Sequence, residues 1–138
     1  LIAEAGVRTS RLHLELTETS LLENSAHVVQ SMTQIAELGP RWYVDDFGTG
    51  YSSISHLRDL PISGLKLDLS FASGVRHGEP KSLRLTHALA GLAGGLEIDT
   101  IAEGIESEGE AEVLLAQGWR HGQGWLFGPA APLDREDS

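Results

Sequence analysis

Two adjacent carboxylates, Asp45 and Asp46, stand where the run Trp42-Tyr43-Val44 gives way to Phe47-Gly48-Thr49-Gly50-Tyr51-Ser52-Ser53. Neighbouring carboxylates repel unless cations hold them, and a pair at a strand mouth can share one metal ion and reach a second. A helix N-cap followed by a turn would use the same residues, and both readings stay open on spacing alone. The glycines lack GxGxxG spacing and the lysine of a Walker loop, so a gating loop or a tight turn fits better than a phosphate cradle.

Lys66 falls between Leu65 and Leu67, so on a short strand it points away from them. A lysine turned into a barrel interior needs carboxylate partners, which Asp45, Asp46 and Asp68 could supply. There it could orient a nucleophilic water or meet charge growing on a phosphate; a solvated surface lysine is the alternative. Glu15 and Glu103 end two further strand-like runs. Each alone reads as a surface acid, and it is their agreement in position that points to a shared site. The six histidines form no HExxH spacing, and Ser52 and Ser53 lack legible triad partners.

The elements that must position these groups alternate. Leu12, Leu14 and Leu16 interleave with His13 and Glu15 as a strand does, and the period then changes to helical over Leu21 to Leu38, with Asn24 or Ser25 as cap and Gly39-Pro40 as stop. A strand over Trp42 to Asp45, a short helix over Ser52 to Leu60, a strand over Leu65 to Asp68 and a helix from Pro80 to Leu96 follow. Ile98 to Ala102 reads as a strand, Ser107-Glu108-Gly109-Glu110 as a capping box opening a helix that ends at Gly118, and Trp119 to Leu126 as the last strand. Such alternation predicts an α/β fold of parallel βα units, in which chemistry gathers at the C-terminal ends of strands. Glu15, Asp45, Asp46, Lys66, Asp68 and Glu103 all lie near such ends.

At 138 residues and 41% hydrophobic content the chain has the size of one small globular unit. No apolar run approaches the roughly 18 residues of a membrane span. Cysteine is absent, which excludes disulfides and thiolate zinc sites, so a metal must take oxygen or imidazole ligands. A net charge of −10 disfavours bulk nucleic acid but not a small phosphate ester held through divalent cations.

Five motifs then occur in order: Leu14-Glu15-Leu16-Thr17-Glu18, Asp45 through Ser53, Leu65-Lys66-Leu67-Asp68, Ala102-Glu103-Gly104-Ile105-Glu106 and Gly122-Gln123-Gly124. Together they resemble the signatures of the EAL domain, with 1–128 as its C-terminal part and 129–138 as a tail. The resemblance implies a partial TIM-like (βα) barrel, about the last five strands with their helices. It also implies a phosphodiesterase that uses two Mg²⁺ or Mn²⁺ ions to open cyclic di-GMP to linear pGpG in the bacterial cytoplasm. Carried over by position, Glu15 resembles a ligand of the first metal, Asp45 the bridge between both, and Asp46 and Glu103 ligands of the second. Lys66 resembles the contact to the attacking water, Glu106 the support of the Asp45-Asp46 loop, and Gln123 the glutamine of the last motif.

The departures are as informative. The family's namesake Glu-Ala-Leu motif and a metal-binding asparagine are expected upstream of Leu1, on about three strands that this sequence lacks. Leu69, Trp125 and Pro129 replace the usual polar residue, tyrosine and arginine. The chain is therefore expected to be inactive alone, with a non-catalytic cyclic di-GMP receptor or interaction module as the alternative function. Five strands cannot close an eight-stranded barrel, so self-association or an N-terminal half is expected to cover the open edge.

Overall fold

The computed structural model describes residues 6–23, 26–49 and 54–131. Asn24, Ser25, Gly50 to Ser53 and most of the expected tail lie outside the described residues. Five strands, β1 (His13–Thr17), β2 (Arg41–Phe47), β3 (Ile62–Leu67), β4 (Asp99–Ala102) and β5 (His121–Gly122), form one sheet in sequence order. Every neighbouring pair is parallel. Five helices connect them: α1 (Ala26–Glu37), α2 (Ile54–Asp59), α3 (Leu69–Arg76), α4 (Pro80–Gly95) and α5 (Glu108–Gln117). These are the parallel βα units that the alternation of periods predicts, arranged as the partial (βα) barrel that the family resemblance implies.

The sheet has one face of each kind because strand side chains alternate. Val44, Leu65, Leu67 and Ala102 are fully buried beneath the helices. Val44 and Leu65 pack with Met32 of α1, Leu57 of α2, Leu60 and Ala93 of α4. Leu67 and Ala102 instead meet Val75 of α3, Ala90 of α4, Leu114 of α5 and Trp119. Two tryptophans lock this layer: Trp42, half-buried, donates Nε1–H to Met32 O at 3.0 Å, and Trp119, buried, donates Nε1–H to Thr86 O at 3.1 Å, so neither N–H is orphaned. The opposite face carries His13, Glu15, Tyr43, Asp45, Lys66, Asp99 and Glu103, the polar lining of the concave side.

Several boundaries differ from the periodicity, each for a local reason. The helix expected from Leu21 begins as a 3-10 turn over Glu18–Glu23, and α1 starts at Ala26. The third strand ends at Leu67 because Asp68 leaves it to cap α3, accepting from Ser70 N at 2.9 Å. Helix α3 itself escaped the sequence reading, its Ser70, Ser73 and Gly74 masking a short apolar face. The last strand shrinks to two residues: Gly124, at φ 152°, turns the chain so that a Cβ there would strike the Ile105 backbone, and a 3-10 turn follows over Trp125–Phe127.

Strands β1 and β5 are the sheet's edges, and among the described residues neither pairs with a further strand. Nor is any described helix long and apolar enough to cross a membrane.

Leu65 is the test of this core, being wholly buried at the centre of the middle strand. Leu65→Ala is expected to lower unfolding free energy by about 2–5 kcal/mol, read as a reduced urea midpoint with an unchanged slope.

Candidate cation site at the strand ends

Parallel register brings the predicted acids to one place. Thr17 pairs with Asp45, Lys66 with Ile101 and Leu67 with Ala102, so the C-terminal ends of β1 to β4 form a common rim. At that rim Lys66 Nζ lies 2.5 Å from Glu103 Oε1, 2.9 Å from Glu15 Oε1 and 3.6 Å from Asp45 Oδ1. Three strands thus contribute one carboxylate each to a lysine that is only 7% exposed. Burial alone would push its amine down; the hydrogen bonds to Glu103 and Glu15, with the charges of Glu103 and Asp45, outweigh it and raise it.

Asp46 and Asp68, expected among the partners of Lys66, go elsewhere. Asp68 caps α3. Asp46 sits in the left-handed region at φ 53°, and its own N–H donates to Asp45 Oδ1 at 2.9 Å. The ladder explains the conformation: Val44 pairs with Leu65 but Phe47 with Leu67, so strand β2 carries one residue more than its partner between those rungs. Strict alternation would send Asp45 and Asp46 to opposite faces. The bulge re-aims the second acid without breaking the strand, and aspartate is among the few side chains that tolerate the required backbone. The charge of Asp45 is the main reason that the Asp46 carboxyl titrates above its ordinary value, followed by burial and by Asp68.

The loop that follows is held by a residue the sequence reading passed over. Glu18, 3% exposed, accepts from the Gly48 N–H at 3.1 Å, while Thr49 Oγ1 donates to Asp46 O at 2.8 Å. Glu106, to which loop support was assigned, lies instead on the β4–α5 connection and pairs with Arg76 Nη1 at 2.7 Å. The signal was present in Leu14-Glu15-Leu16-Thr17-Glu18: the second acid follows the first by three residues, past the strand end, where it can turn back toward the neighbouring loop.

Arg76 clamps that β4–α5 connection. It also bonds Glu110 and reaches Gly104 O at 3.3 Å. Glu110 in turn accepts from the backbone N–H groups of Glu106 at 2.6 Å and Ser107 at 2.8 Å, completing the capping box of α5. Burial pushes the Glu110 carboxyl up, but the Glu106 N–H, Arg76 and the Ser107 N–H together hold it below its ordinary value.

Beneath the acid rim a second polar layer crosses the sheet. His13 stacks on Tyr43 with ring centroids 4.4 Å apart, Tyr43 Oη donates to Asp99 Oδ2 at 3.5 Å, and His121 Nε2 is 3.7 Å from Asp99 Oδ1. Burial and the Asp99 charge raise the Tyr43 phenol. Gln123, exposed, lies over the resulting open hollow of about 440 Å³. Its backbone spans β4 and the following turn, with N–H donated to Ala102 O and C=O accepting from Ile105 N.

Among the described residues no three acids or histidines form a ready metal cage. The donor set nevertheless suits a hard cation, since all of Glu15, Asp45, Asp46 and Glu103 offer carboxylate oxygens. One ammonium among three carboxylates, with a fourth adjacent, leaves an excess of negative charge at a partly buried rim. That imbalance is what divalent ions relieve.

Fold and site together define part of a (βα)-barrel domain with an acidic mouth at its strand ends. The sequence profile described as EAL domain matches residues 1–130, and the chain belongs to that family. It is 43% identical over 129 residues to the cyclic di-GMP phosphodiesterase PA2567 of Pseudomonas aeruginosa, covering 93% of this chain and 22% of that protein. Identity is 40% over 132 residues to the cyclic di-GMP phosphodiesterase PdeR of Escherichia coli, covering 96% and 20%. The solved structure of the PaMucR phosphodiesterase in complex with c-di-GMP superimposes with a TM-score of 0.87 at 32% identity, over 99% of this chain and 54% of that one. The manganese and cy-diGMP complex of BlrP1 from Klebsiella pneumoniae gives 0.81 at 26% identity, over 91% and 32%. The chain thus spans about a fifth of the length of these curated relatives.

Two outcomes test this geometry. Glu18→Ala is expected to speed hydrogen exchange of the Gly48 amide by about tenfold or more, read by NMR, because its buried acceptor is gone. Glu110, with its carboxyl held low in the folded state, adds stability above its ordinary value of 4.5 that is lost as pH falls through the lower folded value. Glu110→Gln is therefore expected to flatten the acid limb of unfolding free energy against pH, followed by urea titrations between about pH 6 and 2.

Proposed function

We propose that this chain supplies the second-metal half of a cyclic di-GMP phosphodiesterase site, with hydrolysis to pGpG belonging to the whole barrel of which these strands form part. The convergence of Glu15, Asp45 and Glu103 on buried Lys66 carries the reading, because it assembles a charge deficit at the strand ends where barrel enzymes act. The names of PA2567 and PdeR and the ligand of the PaMucR complex support the choice of substrate.

Two Mg²⁺ or Mn²⁺ ions, when bound, would lower the pKa of the attacking water and neutralise charge on the phosphodiester. Glu15, Asp45, Asp46 and Glu103 would hold them, the bulge at Asp46 turning a second carboxylate toward the mouth. Lys66 orients the water and meets negative charge as it grows on the phosphoryl oxygens. Glu18 fixes the loop behind Asp46, and Arg76 with Glu110 fixes the connection behind Glu103. Gln123 stands at the far rim of the same concave face. The remaining first-metal ligands come from strands preceding β1, which would also close the barrel; a second copy of the chain is the other way to cover the edge.

The test uses the native protein that contains these residues. Mn²⁺-dependent conversion of cyclic di-GMP to pGpG, followed by chromatography, is expected, and Asp45→Ala is expected to reduce it by at least about 100-fold. Tight ligand binding without turnover under the same conditions would replace this reading with that of a receptor.

A further inference from the structure

Lys66 occupies the position from which a cation would neutralise the rim. Its Nζ is within 3.6 Å of oxygens from Glu15, Asp45 and Glu103 together. Those three residues are also three of the four proposed metal ligands. A divalent ion takes carboxylate oxygens at about 2.0–2.6 Å, so an ion bound to any of these same oxygens would lie within about 6 Å of the ammonium. Lys66 is 7% exposed while the side chains of its carboxylate partners are 24–44% exposed, so water screens that repulsion only in part.

We propose that Lys66 is the site's resident cation, holding its carboxylates converged and leaving them when divalent ions enter, so that metal loading and release of the lysine are one equilibrium. The inference rests on the cation-site reading above and extends it. The side chain has four rotatable bonds and a single compact charge, so it can swing without moving β3. An arginine, whose planar fork would grip two carboxylates at once, would yield less readily. Two consequences follow from one displacement. The acids are kept from repelling one another while no metal is bound, and the ammonium is delivered toward the water and phosphate only in a site already loaded.

The native protein is titrated with Mn²⁺ by calorimetry, wild type beside Lys66→Met, which keeps an unbranched stem and removes the ammonium. Competition predicts that the variant binds Mn²⁺ about tenfold tighter or more. In parallel, wild-type protein is treated with an amine-acylating reagent with and without Mn²⁺, and the peptide containing Lys66 is weighed. Labelling is expected to rise when Mn²⁺ is present. Equal or weaker Mn²⁺ binding by the variant, or labelling that stays level or falls, overturns the proposal while leaving the cation site standing. If neither protein binds Mn²⁺, the cation-site reading falls and takes this one with it. Should the variant fail to fold, the labelling of wild type decides.

Discussion

A lysine ammonium withdrawn from water must be met by carboxylates, and those that meet Lys66 come from strands far apart in sequence. Glu15 and Glu103 are separated by 87 intervening residues, 16 through 102, yet both reach the same nitrogen. That is possible only if β1 to β4 run parallel and finish level. The helices serve this requirement: with Val44, Leu65, Leu67 and Ala102 sealed against them, the alternate residues have no direction left but the concave face. A one-residue slip of β3 would put Leu65 or Leu67 among the acids and Lys66 in the apolar layer.

Much of this was legible from residue order because period 2 and period 3.6 differ plainly in Leu14-Glu15-Leu16 and Leu65-Lys66-Leu67 on one side and in the run from Pro80 on the other. The capping box at Ser107 and Glu110 was readable for the same reason, since it joins residues three apart. What stayed hidden depends on contacts that spacing does not encode. The bulge at Asp45-Asp46 exists only against β3, which is one residue shorter there. Asp68 continues the alternation of its strand and still leaves it, because capping α3 satisfies a backbone N–H that the strand would not. Glu106 and Glu18 look alike in sequence, each three residues after a rim acid. Only the neighbours distinguish them: Glu106 faces Arg76, and Glu18 is buried under the loop of β2.

The concave face is layered. Near the strand ends it is acidic around Lys66; one step toward the strand starts, His13, Tyr43, Asp99 and His121 make a row of rings and one carboxylate. A closed barrel fills its interior with side-chain layers, and here the lower layer is polar yet internally bonded. It gives the acids a stiff floor. Tyr43 is 2% exposed, so the floor is firm at its centre even while His13 and His121 stand open toward the two edges of the sheet.

Asp46 holds a backbone conformation in which glycine would be at ease and most side chains would not. Its presence there is a concession of stability to charge. Selection for heat resistance and selection for the acidic mouth therefore pull this one position in opposite directions, and a library screened on melting temperature alone would drift toward a sturdier strand with an emptier site.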